Sequence, residues 1–194
     1  ASCLVGSEMC IRDRIKRQPI DSHLKGTYAV VPNFALELAA RYGAPAAGEE
    51  LDFSNVDGII IGSEPVTESA VNSFWETFGK EEYGLRREVL RPSYGMAEAS
   101  LIVSTPQTPE RPLISHFDRE RLAQGEAVIV EKSENSVAYA SCGQSVVAQE
   151  LTIVDPETRA ELADGLIGEI WLHGDNRAAG YLDRAEETAA TFHN

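Results

Sequence analysis

Apolar residues recur along the first half of the chain in two alternating patterns. Short runs rich in β-branched residues, Thr27–Val31 and Val56–Ile61, predict buried strands. The stretches Phe34–Tyr42 and Val66–Phe78 place their apolar residues on one helical face, and a glycine ends each of them. Asn33 directly precedes the first of these stretches and belongs to a residue type that caps helices, so we expect it to do so here.

The same alternation continues further along the chain. Glu88–Arg91 predicts a third short strand, Pro92–Gly95 a loop, and Met96–Val103 a short helix. Because strands alternate with helices, the sequence predicts an α/β fold with a parallel sheet. Ligands of such sheets bind beyond the carboxyl ends of the strands, so the loops at those ends are the first candidates for a site.

The pattern changes in the second half. Residues 106–139 contain three prolines and mixed charges, and they predict an irregular segment. Val147–Val154 and Ile167–His173 predict antiparallel strands that follow the parallel sheet. Asp183–Glu186 resembles a capping box, which predicts a last helix ending near Phe192.

Composition and charge exclude several classes of protein. The 194 residues carry a formal net charge of −14 and are 43% hydrophobic, which is typical of a soluble folded protein and argues against nucleic-acid binding through a basic surface. No run approaches ~18 consecutive apolar residues, so we expect no membrane span. Three cysteines without a C-x-x-C pair argue against a disulfide framework or a structural zinc site and favour the cytoplasm.

The first candidate loop follows the second predicted strand and consists of Gly62, Ser63, Glu64 and Pro65. Gly62 lets the backbone approach a flat ligand closely, and the peptide groups of the turn could bracket a purine. Taken alone, the residues favour an ordinary strand-to-helix turn, with Pro65 at the start of the helix.

The second candidate loop leads into the predicted short helix; its members are Ser93, Tyr94, Gly95, Met96, Ala97 and Glu98. Tyr94 offers a ring face and a hydroxyl, and Glu98 offers a carboxylate that could hold a hard cation such as Mg²⁺. A lone carboxylate near a helix start also stabilises the helix dipole, and this simpler interpretation is favoured when the loop is considered singly.

A third segment, Gly168–Gly174 followed by Gly180 and Tyr181, alternates like a strand and then turns. His173 within it is expected to be a packing or surface residue rather than a catalyst. No Walker loop, G-x-S-x-G elbow or G-x-G-x-x-G motif is present anywhere in the sequence.

The order and spacing of the three segments resemble the adenylate-forming superfamily, which joins carboxylates to AMP. Gly62–Pro65 matches the family's adenine-contacting turn, and Tyr94–Glu98 matches its Tyr-Gly-x-Thr-Glu motif. Gly168–Tyr181 matches a Gly-Glu-Leu-x-x-x-Gly…Gly-Tyr motif, and Tyr181–Phe192 is similar to the run that follows it. The resemblance implies that the chain is part of the large N-terminal domain, with a parallel βαβ sheet followed by antiparallel strands.

Departures from the general pattern resemble one branch, the fatty acyl-AMP ligases. Ala97 stands where most members have Thr, and Val31–Leu38 and Gly168–Asn176 have the form typical of that branch. Pro106–Tyr139 lies where these ligases carry an insertion. Leu101–Thr105 and His116–Arg119 resemble the mycolic-acid type of actinobacteria.

This resemblance implies a reaction. A long-chain fatty acid and ATP form acyl-AMP and pyrophosphate, and the acyl group then passes to the acyl carrier protein of a polyketide synthase. By the same resemblance Gly62–Pro65 would hold adenine with Tyr94 against its ring, and Ser93–Ala97 would line the junction of nucleotide and acyl carboxylate. Glu98 would bind Mg²⁺. Asn33 and Phe34 would border the acyl tunnel, although core packing explains Phe34 equally well.

Two alternatives stay open at this point. One is a long-chain acyl-CoA synthetase, which performs the same adenylation but transfers the acyl group to CoA. The other is a truncated copy that binds nucleotide or a partner without turnover. The resemblance also places the family's phosphate loop before residue 15 and its ribose-binding Asp after Asn194, so we expect an interior fragment that makes no acyl-AMP alone.

The resemblance further suggests how the chain is divided. Cys3–Arg14 resembles the translated adapter sequence that recurs at the ends of gene models from assembled short reads, so we expect residues 1–14 to be a non-native lead. Residues 15–105 would be the adenine-binding α/β part, 106–139 the insertion, and 140–194 a truncated β-rich part.

Overall fold

The computed structural model describes residues 26–146 and 149–192. The non-native lead expected at residues 1–14 lies outside the described residues, as do the first residues of the strand predicted at Val147–Val154. The α/β part contains β1 (Thr27–Pro32), α1 (Asn33–Tyr42), β2 (Val56–Gly62), α2 (Glu68–Phe78) and β3 (Leu90–Pro92). The part that follows contains β4 (Tyr94–Gly95), β5 (Ile102–Thr105), β6 (Ile114–Asp118), α3 (Arg119–Ala123), β7 (Ile129–Val130), β8 (Ser136–Ala140), β9 (Gln144–Ser145), β10 (Gln149–Val154), β11 (Glu169–Gly174) and α4 (Ala185–Phe192).

The three strands β1, β2 and β3 form a parallel sheet in the order β1-β2-β3. This confirms the predicted α/β fold. The apolar face of the sheet packs against α1 and α2, because both helices carry their apolar residues on one side. The most deeply buried side chains of this core are Leu36, Val56, Ile59, Ile61, Val71 and Leu90.

Both helices end as predicted, at Gly43 and Gly79, but neither begins as predicted. Asn33 is the first residue of α1 rather than its cap, and Pro32 at the cap position makes no side-chain hydrogen bond to the helix. The second helix begins at Glu68, where the Thr67 hydroxyl accepts a hydrogen bond from the Ala70 N–H (3.2 Å). Because Thr67 is a better cap than the residues before it, the chain stays extended past Pro65, and the prediction of a proline at the helix start is wrong.

The prediction of a short helix at Met96–Val103 is also wrong. Ala97–Ala99 forms a single 3₁₀ turn, and Tyr94–Gly95 pairs with Ile102–Thr105 as an antiparallel hairpin. The β-branched Ile102 and Val103 favour the strand. The third parallel strand is Leu90–Pro92, shifted from the predicted Glu88–Arg91, because a 3₁₀ turn occupies Arg87–Val89.

The prediction that residues 106–139 form an irregular segment is wrong. β6, β7 and β8 form an antiparallel sheet in the order β7-β6-β8, and we call these strands with α3 the 114–140 sheet. Asp118 caps α3 by accepting hydrogen bonds from the N–H groups of Glu120 (2.9 Å) and Arg121 (3.0 Å). The strands of the 114–140 sheet have two to five residues, and they are too short to show an alternation of apolar and polar residues in the sequence. The domain boundaries at 105 and 139 stay predictions.

The strands β10 and β11 pair antiparallel from Gln149↔Gly174 to Val154↔Glu169, as predicted. The last helix begins at Ala185, and Asp183 lies two positions before it with a left-handed φ of 56°. An N-cap residue has extended backbone, so the capping box expected at Asp183–Glu186 is wrong. No helix within the described ranges is both long and apolar enough to cross a membrane.

Candidate functional site

The two predicted loops lie side by side at the carboxyl ends of β2 and β3. The Ser93 N–H donates to the Ile61 carbonyl (2.8 Å), which continues the parallel pairing to the end of both strands. A Cβ placed on Gly62 would lie 3.2 Å from the Ser93 carbonyl oxygen, so the glycine permits this close approach. Ser63 has a left-handed φ of 66°, a conformation found at turns and at ligand sites.

The Gly62–Pro65 turn is also fastened to the start of α1. Glu64 Oε1 accepts a hydrogen bond from the Phe34 N–H (2.7 Å), one of the amides that a helix leaves unpaired in its first turn. Asn33 Oδ1 accepts one from the Thr67 N–H (3.0 Å). The buried Asn33 therefore supports the turn through its amide, and the structure brings the residues predicted for adenine and for the acyl pocket into contact.

The ring of Phe34 is 53% exposed, so it does not belong to the core of the described residues. The alternative interpretation of this residue as core packing is wrong for that reason. The backbone of Phe34 is bonded to Glu64 of the Gly62–Pro65 turn. This position is compatible with the predicted role at the border of an acyl pocket, which stays a prediction.

The loop after β3 is shaped by close backbone contacts. The buried Ser93 hydroxyl lies 3.0 Å from the Arg91 carbonyl and 2.8 Å from the Thr105 hydroxyl, so its side chain serves the fold. A Cβ on Gly95 would lie 2.1 Å from the Leu101 carbonyl oxygen, which only glycine avoids. The Met96 N–H donates to that same carbonyl (2.8 Å), and the result is a tight hairpin with Ala97 and Glu98 at its tip.

The Glu98 side chain is held by a distant part of the chain. The Tyr181 hydroxyl donates a hydrogen bond to Glu98 Oε1, and the Ala178 N–H donates to the Glu98 carbonyl (2.7 Å). The bond from Tyr181, followed by a backbone hydrogen bond of Glu98 itself, lowers the pKa of the Glu98 carboxyl. The same bond raises the pKa of Tyr181. Glu98 is therefore favoured in the anionic form that a cation requires.

The donor set at Glu98 fits Mg²⁺ bound together with a nucleotide. Within residues 26–146 and 149–192, no group of three or more His, Cys, Asp or Glu side chains could hold a metal ion by itself. Mg²⁺ is usually held in proteins by one or two carboxylates together with substrate phosphates and water. A single partly exposed carboxylate such as Glu98 suits that mode and does not suit a closed protein-only site.

Two residues of the site were given no role by the sequence analysis. Tyr181 is one of them, and Asn176 is the other: its Nδ2 donates to the Ala99 carbonyl (3.1 Å) and to Gln149 Oε1 (2.8 Å). The Ser100 hydroxyl in turn donates to the Asn176 carbonyl (2.8 Å). The Gly180-Tyr181 motif was the signal in the sequence, but nothing in it indicates a contact with a residue 83 positions earlier.

A cavity of about 560 Å³ lies between the Glu98 hairpin and the β10–β11 pair. Its lining includes Met96, Glu98, Asn176 and Arg177, together with Trp171 of β11. His173 also lines the cavity and is exposed, so of the two places expected for it, packing or surface, the structure shows the surface. Glu98 therefore lines this cavity and is hydrogen-bonded to the 176–181 segment.

Comparison with known proteins identifies relatives of this chain. The family model described as AMP-binding enzyme matches residues 2–182. The long-chain-fatty-acid–AMP ligase FadD32 of Mycobacterium marinum is 47% identical over 171 residues, which cover 87% of this chain and 27% of that protein. The putative fatty-acid–CoA ligase fadD25 of Mycobacterium tuberculosis is 41% identical, with 85% and 28% covered. The chain thus spans about a quarter of the length of the curated relatives it matches.

Solved structures show the same architecture. The fatty acyl-adenylate ligase from L. pneumophila, in complex with acyl adenylate and pyrophosphate, superposes with a TM-score of 0.80 at 28% identity. That match covers 94% of this chain and 31% of the other. A long-chain-fatty-acid–CoA ligase from Archaeoglobus fulgidus superposes with a TM-score of 0.65 at 21% identity over 94% of this chain and 30% of its own, which shows the fold alone.

Proposed function

The chain belongs to the family of AMP-binding enzymes, and we propose that it forms part of a fatty-acid–AMP ligase. Its relatives include proteins named as long-chain-fatty-acid–AMP ligases. The observation that carries the proposal is the meeting of the Gly62–Pro65 turn and the Ser93–Glu98 loop at the carboxyl ends of adjacent parallel strands. That is the place where open α/β sheets bind nucleotides.

The proposed reaction has two steps. A carboxylate oxygen of the fatty acid attacks the α-phosphorus of ATP, the bond to the β-phosphate oxygen breaks, and acyl-AMP and pyrophosphate form. A thiolate then attacks the acyl carbon, and AMP leaves. The first step needs no general base, because a carboxylic acid with a pKa near 4 to 5 is ionised at neutral pH. Catalysis then depends on positioning and on charge stabilisation.

The residues of this chain would divide that task. The peptide groups of Gly62–Pro65 would bracket the adenine, with the Tyr94 ring against it. The Ser93–Ala97 backbone would line the junction between nucleotide and fatty acid. The Glu98 carboxylate would hold Mg²⁺, which offsets charge on phosphate oxygens when it is bound. The lowered pKa of Glu98 supports this role, because a protonated carboxyl would not bind a cation.

The acceptor in the second step is proposed to be an acyl carrier protein of a polyketide synthase. This choice rests on the resemblance, which places the insertion of the acyl-AMP ligases at Pro106–Tyr139. In this chain that segment forms most of the 114–140 sheet, which is fastened to α2. Lys132 Nζ lies 2.8 Å from Glu68 Oε2, and His116 Nε2 lies 3.7 Å from Glu68 Oε1. Coenzyme A is the alternative acceptor, favoured by the relatives named as putative fatty-acid–CoA ligases.

We further propose a mycolic-acid-type fatty acid as substrate and the cytoplasm as location. The first rests on Leu101–Thr105 and His116–Arg119, the segments that resemble the mycolic-acid type. The second rests on the sparse cysteines; within the described ranges the one cysteine, Cys142, is free, and burial raises the pKa of its thiol.

The proposal is tested with the full-length enzyme that contains this sequence. Long-chain fatty acid, α-labelled ATP and Mg²⁺ should give labelled acyl-AMP, and absence of that product would refute the proposal. In a second incubation, the acyl-AMP formed is offered either a phosphopantetheine-loaded acyl carrier protein or CoA. The molecule that receives the acyl group identifies the acceptor. The 194-residue chain by itself is expected to give no acyl-AMP, since it spans about a quarter of its relatives. If the full-length protein gives none either, but an acyl-AMP analogue raises its melting temperature, the non-catalytic alternative is favoured.

A further inference from the structure

The tip of the Glu98 hairpin is bound by a clamp, which we define as Asn176, Ala178 and Tyr181. The clamp makes contacts with three consecutive residues of the tip: Tyr181 and Ala178 bond to Glu98, Asn176 bonds to Ala99, and Ser100 bonds to Asn176. Ser100 has a left-handed φ of 65° and ends the 3₁₀ turn directly after Ala99. A short exposed turn of this kind needs external contacts to hold one conformation.

Within the clamp, Tyr181 contacts the Glu98 side chain itself. Its ring packs edge-to-face on Phe192 (5.3 Å between centroids), and its N–H donates to the Thr188 hydroxyl (2.9 Å). Gly180 before it has φ 142°, and a Cβ there would lie 2.4 Å from Thr188 Cγ2. The glycine therefore allows the backbone to approach α4, and α4 fixes the direction of the tyrosine hydroxyl.

We propose that Tyr181 is a positioning residue that holds the Glu98 carboxylate in its cation-binding orientation. The inference rests on the proposed function, in which Glu98 binds Mg²⁺. A carboxylate offers about four lone-pair positions on two oxygens, so one hydroxyl donor leaves acceptor capacity for a cation. Without that donor, Glu98 would rotate freely at the partly exposed tip, and each cation binding event would have to order it again.

This proposal gives the Gly180-Tyr181 motif a role that the sequence does not show, which is to orient the Glu98 carboxylate. Partners that orient a metal-binding side chain typically change metal affinity by ~10–100-fold when they are removed. Because the Glu98–Tyr181 contact lies near solvent, we expect the lower end of that range.

The test uses the full-length enzyme saturated with α,β-methylene-ATP, which cannot release pyrophosphate. Mn²⁺ replaces Mg²⁺, and water-proton relaxation reports the protein-bound ion, so the readout does not depend on turnover. Tyr181→Phe keeps the ring against Phe192 and removes the hydroxyl; its half-saturating Mn²⁺ concentration should rise about 10-fold. The matched control is Tyr42→Phe, an exposed tyrosine at the end of α1, which should change it by less than about twofold.

Two further variants make every outcome decisive. Glu98→Gln removes the carboxylate; if it leaves Mn²⁺ binding unchanged, the proposed metal role of Glu98 is wrong and the positioning role falls with it. If Glu98→Gln weakens binding while Tyr181→Phe matches wild type, only the positioning role is overturned. Should Tyr181→Phe melt before the assay temperature, Ser100→Ala replaces it. This exposed serine loses the hydrogen bond that joins the tip to the clamp, which should weaken Mn²⁺ binding about fivefold, above the limit set by the control. Binding like that of the control would then overturn the positioning role.

Discussion

The parallel and antiparallel parts of the chain are stabilised in different ways. The contiguous core lies between Val31 and Leu90, where β1, β2 and β3 pack against two helices. In the antiparallel part few side chains are buried, and large apolar residues such as Leu101, Leu113 and Ile129 are exposed. Burial of apolar area is the main favourable term in folding, so the parallel part carries most of the stability of the described chain.

The antiparallel part is joined to its surroundings by hydrogen bonds and ion pairs instead. Lys132 bonds Glu68 on α2, and the turn at Gly125–Ala127 bonds the turn at Gly165–Ile167 through two backbone hydrogen bonds of 2.7 and 2.9 Å. The clamp on Glu98 belongs to the same type of contact. The loops proposed to bind the nucleotide are therefore built on a packed core, whereas the Glu98 tip, proposed to bind the cation, depends on a few directional contacts.

The parallel sheet is itself asymmetric. One face packs on α1 and α2, while Tyr28 and Val30 of β1 are exposed on the other. Arg91 of β3 is opposite Ile60 in the register, and its Nε is buried without a hydrogen-bond partner within the described part of the chain. Parallel sheets are normally covered on both faces, so half of the usual burial is absent from the described residues.

The largest expected effect separates the two parts directly. Ile61→Ala removes a fully buried side chain from β2 and should lower the free energy of unfolding by about 2–5 kcal/mol. Ile129→Ala, at a position 69% exposed on β7, should change it by less than about 0.5 kcal/mol. Urea denaturation followed by circular dichroism measures both. Equal losses would contradict the idea that the core is confined to the parallel part.

The second effect concerns the proposed cation-binding role of Glu98. In the full-length enzyme, Glu98→Ala should reduce acyl-AMP formation about 10²-fold, because a group that stabilises charge in the transition state is lost. The folded protein should keep its melting temperature, since Glu98 lies on a partly exposed hairpin tip. Glu76→Ala, on the exposed side of α2, is the matched control. Turnover like that of the control would remove Glu98 from the site.

The same contrast explains which features the sequence could predict. The β-branched runs of β1 and β2 and the apolar faces of α1 and α2 have clear periods, and the structure has all four elements. The sequence predicts a helix at Met96–Val103 where the structure has the greater part of a hairpin, because Gly95 and Ser100 set the hairpin geometry through backbone contacts that have no period. The Glu98–Tyr181 contact joins residues 83 positions apart and needs the fold itself to be seen.

The third effect tests the contact between the 114–140 sheet and α2. Glu68→Gln and Lys132→Gln remove one partner each, and a double-mutant cycle should give a coupling energy of about 0.2–1 kcal/mol. The Lys132 side chain is mostly exposed, so salt should reduce the coupling. Urea denaturation in low and high salt measures it. A coupling above about 2 kcal/mol, insensitive to salt, would show that the antiparallel part is held by more than surface contacts.

The smallest effect is the pH dependence of that contact. The hydrogen bond from Lys132 lowers the pKa of Glu68 below its ordinary value of 4.5. A carboxyl whose pKa is lower in the folded state contributes stability above its unfolded pKa, and this contribution is lost as the pH falls through the folded value. The difference in unfolding free energy between wild type and Glu68→Gln should therefore shrink as the pH falls below about 4.5. Glu76→Gln, on the exposed side of the same helix, should show no such change. A difference that grew on acidification would mean that Glu68 is protonated in the folded protein, and that the 114–140 sheet is held on α2 by neutral contacts.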